Sequence, residues 1–322
     1  MRIGIAGCGR IAERGYVPAA LAAKGIEIAG LADPDEGRRQ QCRELCEREA
    51  GSEVPAFAGA GELLRSEPLD LLVVAAPAAH HVALAEEAAA AGVRALVEKP
   101  PTPDLEGARK LAALDPQPLI AFNRRFLQGE ELRPAIPAEG WVELDLELRF
   151  RRDGWGAHET HDEALLDAGI HLIDLACFLT GSAPIAVRRA EIEHERASLE
   201  LELARGRARI ACATDRSHRE TILVRDRSGK ALAQSSWGGI RWRISRLLGR
   251  PDPLIVSLQR QIEAVGVSLL EPPHLLLQQG HPHRLLATAP DGIAAMAVVE
   301  AAHRSARLDG AEVTVDPVGA RS

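Results

Sequence analysis

Between the apolar run Arg2–Ala6 and the amphipathic stretch Ala12–Lys24 the chain reads Gly7-Cys8-Gly9-Arg10-Ile11-Ala12. A strand that turns sharply into a helix accounts for all three small positions. The first glycine permits the tight turn, the second lets backbone approach a pyrophosphate, and Ala12 lets helix and strand pack closely. The start of the helix then offers N–H groups to phosphates. A lone glycine triplet is weak evidence, but the strand before it and the helix after it are the required context. Asp33, at the end of the second predicted strand, follows Ala12 by 21 residues. That is near the spacing of a carboxylate that binds the ribose hydroxyls of a dinucleotide. A carboxylate there repels a 2′-phosphate, so NAD is expected over NADP. Arg38 and Arg39 are the counter-argument and keep NADP open, although both are expected one or two turns into the next helix.

The residues around this turn extend the pattern. Apolar runs at Arg2–Ala6, Glu27–Ala32, Leu69–Ala75, Arg94–Val97 and Pro118–Phe122 alternate with amphipathic stretches at Ala12–Lys24, Pro34–Arg48 and His81–Ala91. Such alternation predicts βαβ units and a parallel sheet covered on both faces. Beyond about residue 122 the period changes to two, most plainly in Trp141–Arg152. Further strands are expected at Ile185–Glu195, Ser198–Ala204, Arg207–Ala213 and Glu220–Asp226, with a hairpin turn at Arg225–Gly229. One packed face and one wet face mark an antiparallel sheet. Helical patterns interrupt it at Glu163–Leu179 and Pro253–Leu270, and a last helix is expected over about Gly292–Leu308. The predicted fold class is therefore α/β: an N-terminal Rossmann-type, doubly wound parallel sheet over 1–121, and a C-terminal α/β domain with a large, mostly antiparallel open sheet over 122–322. With 46% hydrophobic residues among 322, the chain has apolar material for two cores.

A formal net charge of -7 and the lack of a long basic tract argue against nucleic acid as a partner. No run of about 18 apolar residues is present, so no membrane span is expected. Cleavage of a leader would destroy the first strand and its turn, so none is expected. The five scattered cysteines read as reduced thiols, with Cys42 and Cys46 on one helix face. A cytoplasmic location fits both points.

Three further motifs carry chemistry. Glu98-Lys99-Pro100-Pro101 ends the fifth predicted strand, where ligands of open α/β sheets bind, and it would aim the Lys99 ammonium into the cofactor cleft. A solvated loop lysine is the competing interpretation. In Asp167-Ala168-Gly169-Ile170-His171-Leu172-Ile173-Asp174, helical spacing places 167, 171 and 174 on one face. A carboxylate one turn from an imidazole favours imidazolium and fixes its tautomer, which suits a general acid/base. An ordinary polar helix face and a metal site compete with this; no metal is expected, because hydride transfer needs none. His158, His161 and Asp162 form a cluster without the zinc spacing, either a loop at a substrate site or plain surface. Arg241, Arg243, Arg246 and Arg250, with Trp237 and Trp242, read as a solvated helix face ahead of a phosphate site.

Together these segments resemble the Gfo/Idh/MocA oxidoreductases. The resemblance runs through the glycine turn, Ala32-Asp33-Pro34-Asp35, Ala76–His81, Glu98-Lys99-Pro100, Asn123-Arg124-Arg125-Phe126, Asp167–His171, Asp291-Gly292 and Glu300-Ala301. Glu-Lys-Pro joined to Asp-x-x-x-His is its most specific part. It implies an enzyme, an NAD(P)-dependent dehydrogenase or reductase acting on the CH–OH group of a sugar, sugar derivative or cyclitol. It implies Gly7, Gly9, Arg10, Ile11, Ala12, Asp33, Pro77, His81, Glu98 and Lys99 around the cofactor. Lys99, Asp167 and His171 would be catalytic, with Arg125 and Trp155 also facing substrate. It further implies a homodimer or homotetramer formed through the C-terminal sheet. Some relatives use a tyrosine as the acid; Tyr16, the single tyrosine, lies in the first helix and excludes that variant. The chain is short for the family, abbreviated at Pro137–Gly140, and only 3% aromatic, which favours a small polyol or keto-sugar over a large glycan. A glycoside hydrolase that oxidises its sugar transiently, and a non-catalytic dinucleotide-binding protein, are the alternatives on the same scaffold.

Overall fold

Residues 1–51, 53–152, 162–238, 251–270 and 282–316 are described by the computed structural model. Trp155, His158, His161, Arg241, Trp242, Arg243, Arg246 and Arg250 lie outside them. The chain forms two compact units, Met1–Phe126 with Pro251–Gly292, and Leu127–Arg250 with Ile293–Ser322.

The first unit is built on β1 (Arg2–Ala6), β2 (Glu27–Ala32), β3 (Ala56–Phe57), β4 (Leu71–Val74), β5 (Arg94–Val97) and β6 (Leu119–Ile120). Their spatial order is 3-2-1-4-5-6, all parallel. This is the doubly wound dinucleotide-binding order, and its switch point lies between β1 and β4. Helices α1 (Val17–Ala22), α2 (Glu36–Ala50), α3 (Ala60–Ser66), α4 (His81–Ala90) and α5 (Leu105–Ala112) connect the strands. Local chemistry sets their ends. Asp35 caps α2 by accepting the Arg38 N–H at 2.9 Å, and Gly51 ends that helix at φ +66°. Asp104 caps α5 through the Gly107 N–H at 2.8 Å. All four residues of β4 are buried, as a sheet covered on both faces requires.

The domain boundary departs from the expectation. The helical segment 253–270 is assigned by sequence to the second domain, yet it folds with the first. Leu258, Ile262 and Val265 join the same buried cluster as Ile3, Ile5, Tyr16 and Leu71. Gly15 shows how closely the segment approaches, since a Cβ there would stand 2.7 Å from Leu258 Cδ1. Its apolar stripe is complementary to the first helix, and nothing in periodicity reports which neighbour a stripe will meet.

The second unit carries β7 (Val142–Arg151), β8 (Pro184–Glu193), β9 (Arg196–Leu203), β10 (Gly206–Ala213), β11 (Asp215–Asp226) and β12 (Ala231–Gly238). With β14 (Val313–Thr314) at one edge the order is 12-11-7-10-9-8-14. Every pairing is antiparallel except β7 with β10. In the first sheet, β13 (Ala287–Thr288) closes the other edge by pairing antiparallel with β6. Burial alternates strictly through Val142–Leu148. Val142, Leu144, Leu146 and Leu148 point into the core, while Glu143, Asp145 and Glu147 lie on the other face. There they meet Arg207 at 2.5 Å, Arg209 at 2.9 Å and Arg219 at 3.6 Å respectively. The residues of helix α6 (Ile170–Thr180) are almost all buried.

Candidate active site

The carboxyl ends of β1, β2, β4 and β5 carry the predicted cofactor residues, and the glycine turn is the best defined. Gly7 has φ +100°, and a Cβ on it would lie 2.6 Å from the Ala75 carbonyl carbon and oxygen. The fold itself demands glycine here, because β1 and β4 converge at the switch point. Gly9 differs: a Cβ there would meet no protein atom within 4 Å. The protein leaves that space open, as a turn shaped for a pyrophosphate requires, so the residues present fit a dinucleotide.

Asp33 is buried and does more than sequence suggests. One carboxylate oxygen accepts the Cys8 N–H at 2.7 Å and the other accepts the Asp35 N–H at 2.9 Å. Asp33 therefore holds the glycine turn in place, while each oxygen keeps a lone pair for a ligand hydroxyl. Arg38 and Arg39 fall in the first turn of α2, not one or two turns in. Arg39 folds back so that one guanidinium nitrogen donates to the Asp33 and Pro34 carbonyls at 2.5 and 3.1 Å.

At the end of β5, Glu98 is buried. Its carboxylate accepts the Tyr16 hydroxyl at 2.7 Å and the Lys99 backbone N–H at 2.9 Å. Burial first, then the Glu98 charge and hydrogen bond, hold the Tyr16 phenol in its protonated form, well above its ordinary range. Tyr16 is thus a brace between the first helix and the Glu-Lys-Pro corner. His81 is buried at the start of α4, with Nε2 2.7 Å from the Ala76 carbonyl and Nδ1 3.1 Å from the Pro101 carbonyl. It ties the loop after β4 to the loop after β5. Pro77 is exposed in the first of those loops, and Lys99, Arg10 and Ile11 are half-buried.

Arg125 is buried and forms an ion pair with Asp291 at 3.1 Å. Burial alone would raise the Asp291 carboxyl, but Arg125 and the Thr288 N–H and hydroxyl outweigh it and hold the group below its ordinary range. The resemblance implies a substrate contact for Arg125; within its own unit it anchors the segment after β6 to the first turn of helix α7 (Ala289–Arg307).

Asp167 and His171 belong to the second unit. The segment Leu165–Gly169 is a π-helical turn that runs directly into α6. The even helical spacing expected over Asp167–Asp174 is therefore broken by one wider turn, a form found often at functional sites. Gly169 presses on β10, where a Cβ would come within 3.1 Å of Cys212 Sγ. Asp167 accepts a hydrogen bond from the Arg152 guanidinium at 3.0 Å, and the same arginine donates to the Asp162 carbonyl. His171 and Asp174 are both buried. Sequence reasoning missed Arg152, Tyr16 and Asp291. The first two are single residues joined to their partners only by the folded chain, and Asp291 carried no signal beyond its motif. Among the described residues no group of three or more His, Cys, Asp or Glu side chains is placed to hold a metal ion.

Fold and site define a dinucleotide-binding Rossmann domain joined to an α/β domain built on an open, mostly antiparallel sheet. Residues 1–117 match the model of an oxidoreductase family with an NAD-binding Rossmann fold, named GFO_IDH_MocA. Over that part the chain is similar to the Gfo/Idh/MocA oxidoreductases. The rhizopine catabolism protein MocA of Rhizobium meliloti is 30% identical over 205 residues, covering 59% of this chain and 60% of that protein. Inositol 2-dehydrogenase of Leifsonia xyli is 28% identical over 194 residues, 58% of this chain and 55% of that one. The matches thus span less than two thirds of these curated relatives. Among solved structures, myo-inositol dehydrogenase from Lactobacillus casei in complex with NAD(H) and myo-inositol superposes with a TM-score of 0.73 at 18% identity. It covers 100% of this chain and 98% of its own. Apo scyllo-inositol dehydrogenase from Lactobacillus casei gives 0.74 at 15% identity, covering 98% of each. At these identities the likeness is one of fold.

Proposed function

We propose that this chain is an NAD-dependent oxidoreductase that interconverts a hydroxyl and a keto group on a cyclitol, sugar or sugar derivative. The observation that carries it is the glycine turn at the switch point, where the fold dictates Gly7 and leaves the space at Gly9 open. Gly7, Gly9, Arg10, Ile11, Ala12 and Asp33 would hold the dinucleotide, with Pro77, His81, Glu98 and Lys99 at the nicotinamide end. When bound, the nicotinamide supplies the hydride acceptor or donor. His171 takes the hydroxyl proton and returns it in the reverse direction. The Lys99 ammonium stabilises the developing alkoxide by charge and hydrogen bonding, and Glu98 fixes its backbone. Asp167 orients His171, with Arg152 as the positioning residue behind it. NAD is favoured over NADP because the Asp33 carboxylate repels a 2′-phosphate; Arg39, tied to two carbonyls, is less available to attract one.

A cytoplasmic location is supported by the free cysteines Cys8, Cys42, Cys46, Cys177 and Cys212. No helix among the described residues is long and apolar enough to cross a membrane. Assembly into a homodimer or homotetramer through the second sheet completes the proposal, and light scattering on the purified chain tests it. The function is tested by a panel of cyclitols, sugars and nucleotide sugars assayed with NAD and NADP. Turnover with NADH release on a small polyol is expected, and His171→Ala should lower kcat by about 10²- to 10⁴-fold while the fold stays intact. Near-normal turnover in that variant removes His171 from its role; sugar release without net NADH points instead to hydrolysis.

A further inference from the structure

Tyr16, the single tyrosine, is fully buried and ends the turn that leaves the glycine cradle. The path between them is short. The Gly9 carbonyl accepts the Glu13 N–H at 3.0 Å, so the helix opens directly on the glycine turn. Ala12–Tyr16 then forms a π-helical turn, closed by the Val17 N–H on the Ala12 carbonyl. A π turn holds more residues than an α turn, so the residue that ends it points differently from what even helical spacing gives. Here the Tyr16 hydroxyl donates to Glu98 Oε1 at 2.7 Å, across 82 residues of chain. Leu258 and Ile262 share the buried cluster with Tyr16, so the bond lies away from water, where it is stronger.

Glu98 uses its other oxygen on the residue that follows it. Oε2 accepts the Lys99 backbone N–H at 2.9 Å. The backbone up to this point is held by the sheet: the Glu98 N–H donates to the Val74 carbonyl at 3.0 Å, and the Val97 carbonyl accepts the Ala121 N–H at 2.8 Å. Past the strand, the Glu98 carboxylate takes over that task for Lys99. A carboxylate on a rotatable stem fixes what it binds only if it is fixed itself, and a hydroxyl donating to a charged acceptor is a strong fixing bond. Burial first, and then the Glu98 charge, keep the Tyr16 phenol protonated, so the donor persists.

We propose that Tyr16 is a positioning residue for Lys99: its hydroxyl fixes Glu98, Glu98 fixes the Lys99 backbone, and the helix opening on the glycine turn is thereby coupled to the corner that carries the Lys99 ammonium. The catalytic consequence rests on the proposed function, whereas the contact stands apart from it. A tyrosine that only fills the core is the competing role. It predicts lower stability for Tyr16→Phe with no effect particular to Lys99.

The full chain has four lysines, Lys24, Lys99, Lys110 and Lys230. Labelling with heavy-nitrogen lysine therefore gives four backbone amide cross-peaks by NMR, and Lys99→Arg identifies that of Lys99. In the wild type the Lys99 amide should exchange with deuterium more slowly than that of Lys230, whose acceptor is the exposed Asp226 carboxylate; equally fast exchange overturns the proposal. Tyr16→Phe should move the Lys99 cross-peak and speed its exchange about tenfold, the scale of one hydrogen bond to a charged group, with Lys110 and Lys230 unmoved. Growth on a ring-fluorinated tyrosine changes position 16 alone, leaves every bond in place and makes the phenol a stronger donor. It should move the same cross-peak, and so serves even if Tyr16→Phe does not fold. With NAD and myo-inositol, or another cyclitol or sugar that the wild type oxidises, Tyr16→Phe should lower kcat roughly 10- to 100-fold. KM and NADH affinity should stay near wild type. A Lys99 cross-peak that answers neither change, a shift shared equally by Lys110 and Lys230, or an unchanged kcat in folded Tyr16→Phe overturns the proposal. If the wild type oxidises none of these compounds, the proposed function falls and the catalytic consequence with it, while the Lys99 cross-peak still decides the contact.

Discussion

The parallel sheet of the first unit buries both faces of its inner strands, whereas the sheet of the second keeps one face polar. In β4 every side chain is core, so no residue along that strand is available for chemistry. The candidate cofactor residues Gly7, Asp33 and Glu98 stand instead just past the strand ends. In β7 every second side chain is charged and joined to a neighbouring strand. That face is wide and self-satisfied, and the acid/base candidates of this unit lie instead on the π-helical turn and the helix it leads into. A two-sided sheet leaves the ends of its strands for a site; a one-sided sheet offers a surface, and its unit's candidates lie on a helix.

This contrast can be broken most directly at the end of β1. Gly7→Ala should destabilise the fold by about 2–4 kcal/mol, since the new Cβ clashes with backbone at an already positive φ. Gly9→Ala should leave stability within about 1 kcal/mol yet weaken NADH binding. Urea unfolding together with NADH titration separates the two, and equal stability costs would mean the glycines do not differ as described. Tyr16→Phe comes next. Removing a hydroxyl from a buried carboxylate should cost about 1–3 kcal/mol in urea unfolding, and a neutral result would deny the brace.

The Asp291 effect is smaller and depends on pH. Its carboxyl sits below its ordinary value of 3.8 in the folded chain. Both folded and unfolded forms are ionised above that value, so the stabilisation is complete there and is lost as pH falls through the folded value. Asp291→Asn should flatten the acid limb of a plot of urea midpoint against pH below roughly pH 4; an unchanged limb would show that the Arg125 pair contributes nothing. Least of all, Arg209→Ala on the polar face should change stability by no more than about 0.2–1 kcal/mol. A loss as large as that of Tyr16→Phe would mean the charged face is not the weakly coupled surface described.

Much of this was legible beforehand because it follows from local rules. The glycine turn, the period-two run of Val142–Leu148 and the thiols of Cys42 and Cys46 depend on residues within a few positions of one another, and backbone sterics or side-chain direction act at that range. The partners were not legible. Nothing near Tyr16 announces Glu98, nothing near Asp167 announces Arg152, and the apolar stripe of 253–270 does not say that it packs on the first helix. The role of Asp33 changed for the same reason, since its hydrogen bond to the Cys8 N–H closes only when β1 and β2 lie side by side. By itself the sequence determined which elements form and which chemical groups stand at their ends. Only the tertiary structure decided which of those groups meet, because hydrogen bonds and ion pairs reach about 3 Å and residues far apart in the chain come that close only once the sheets are assembled.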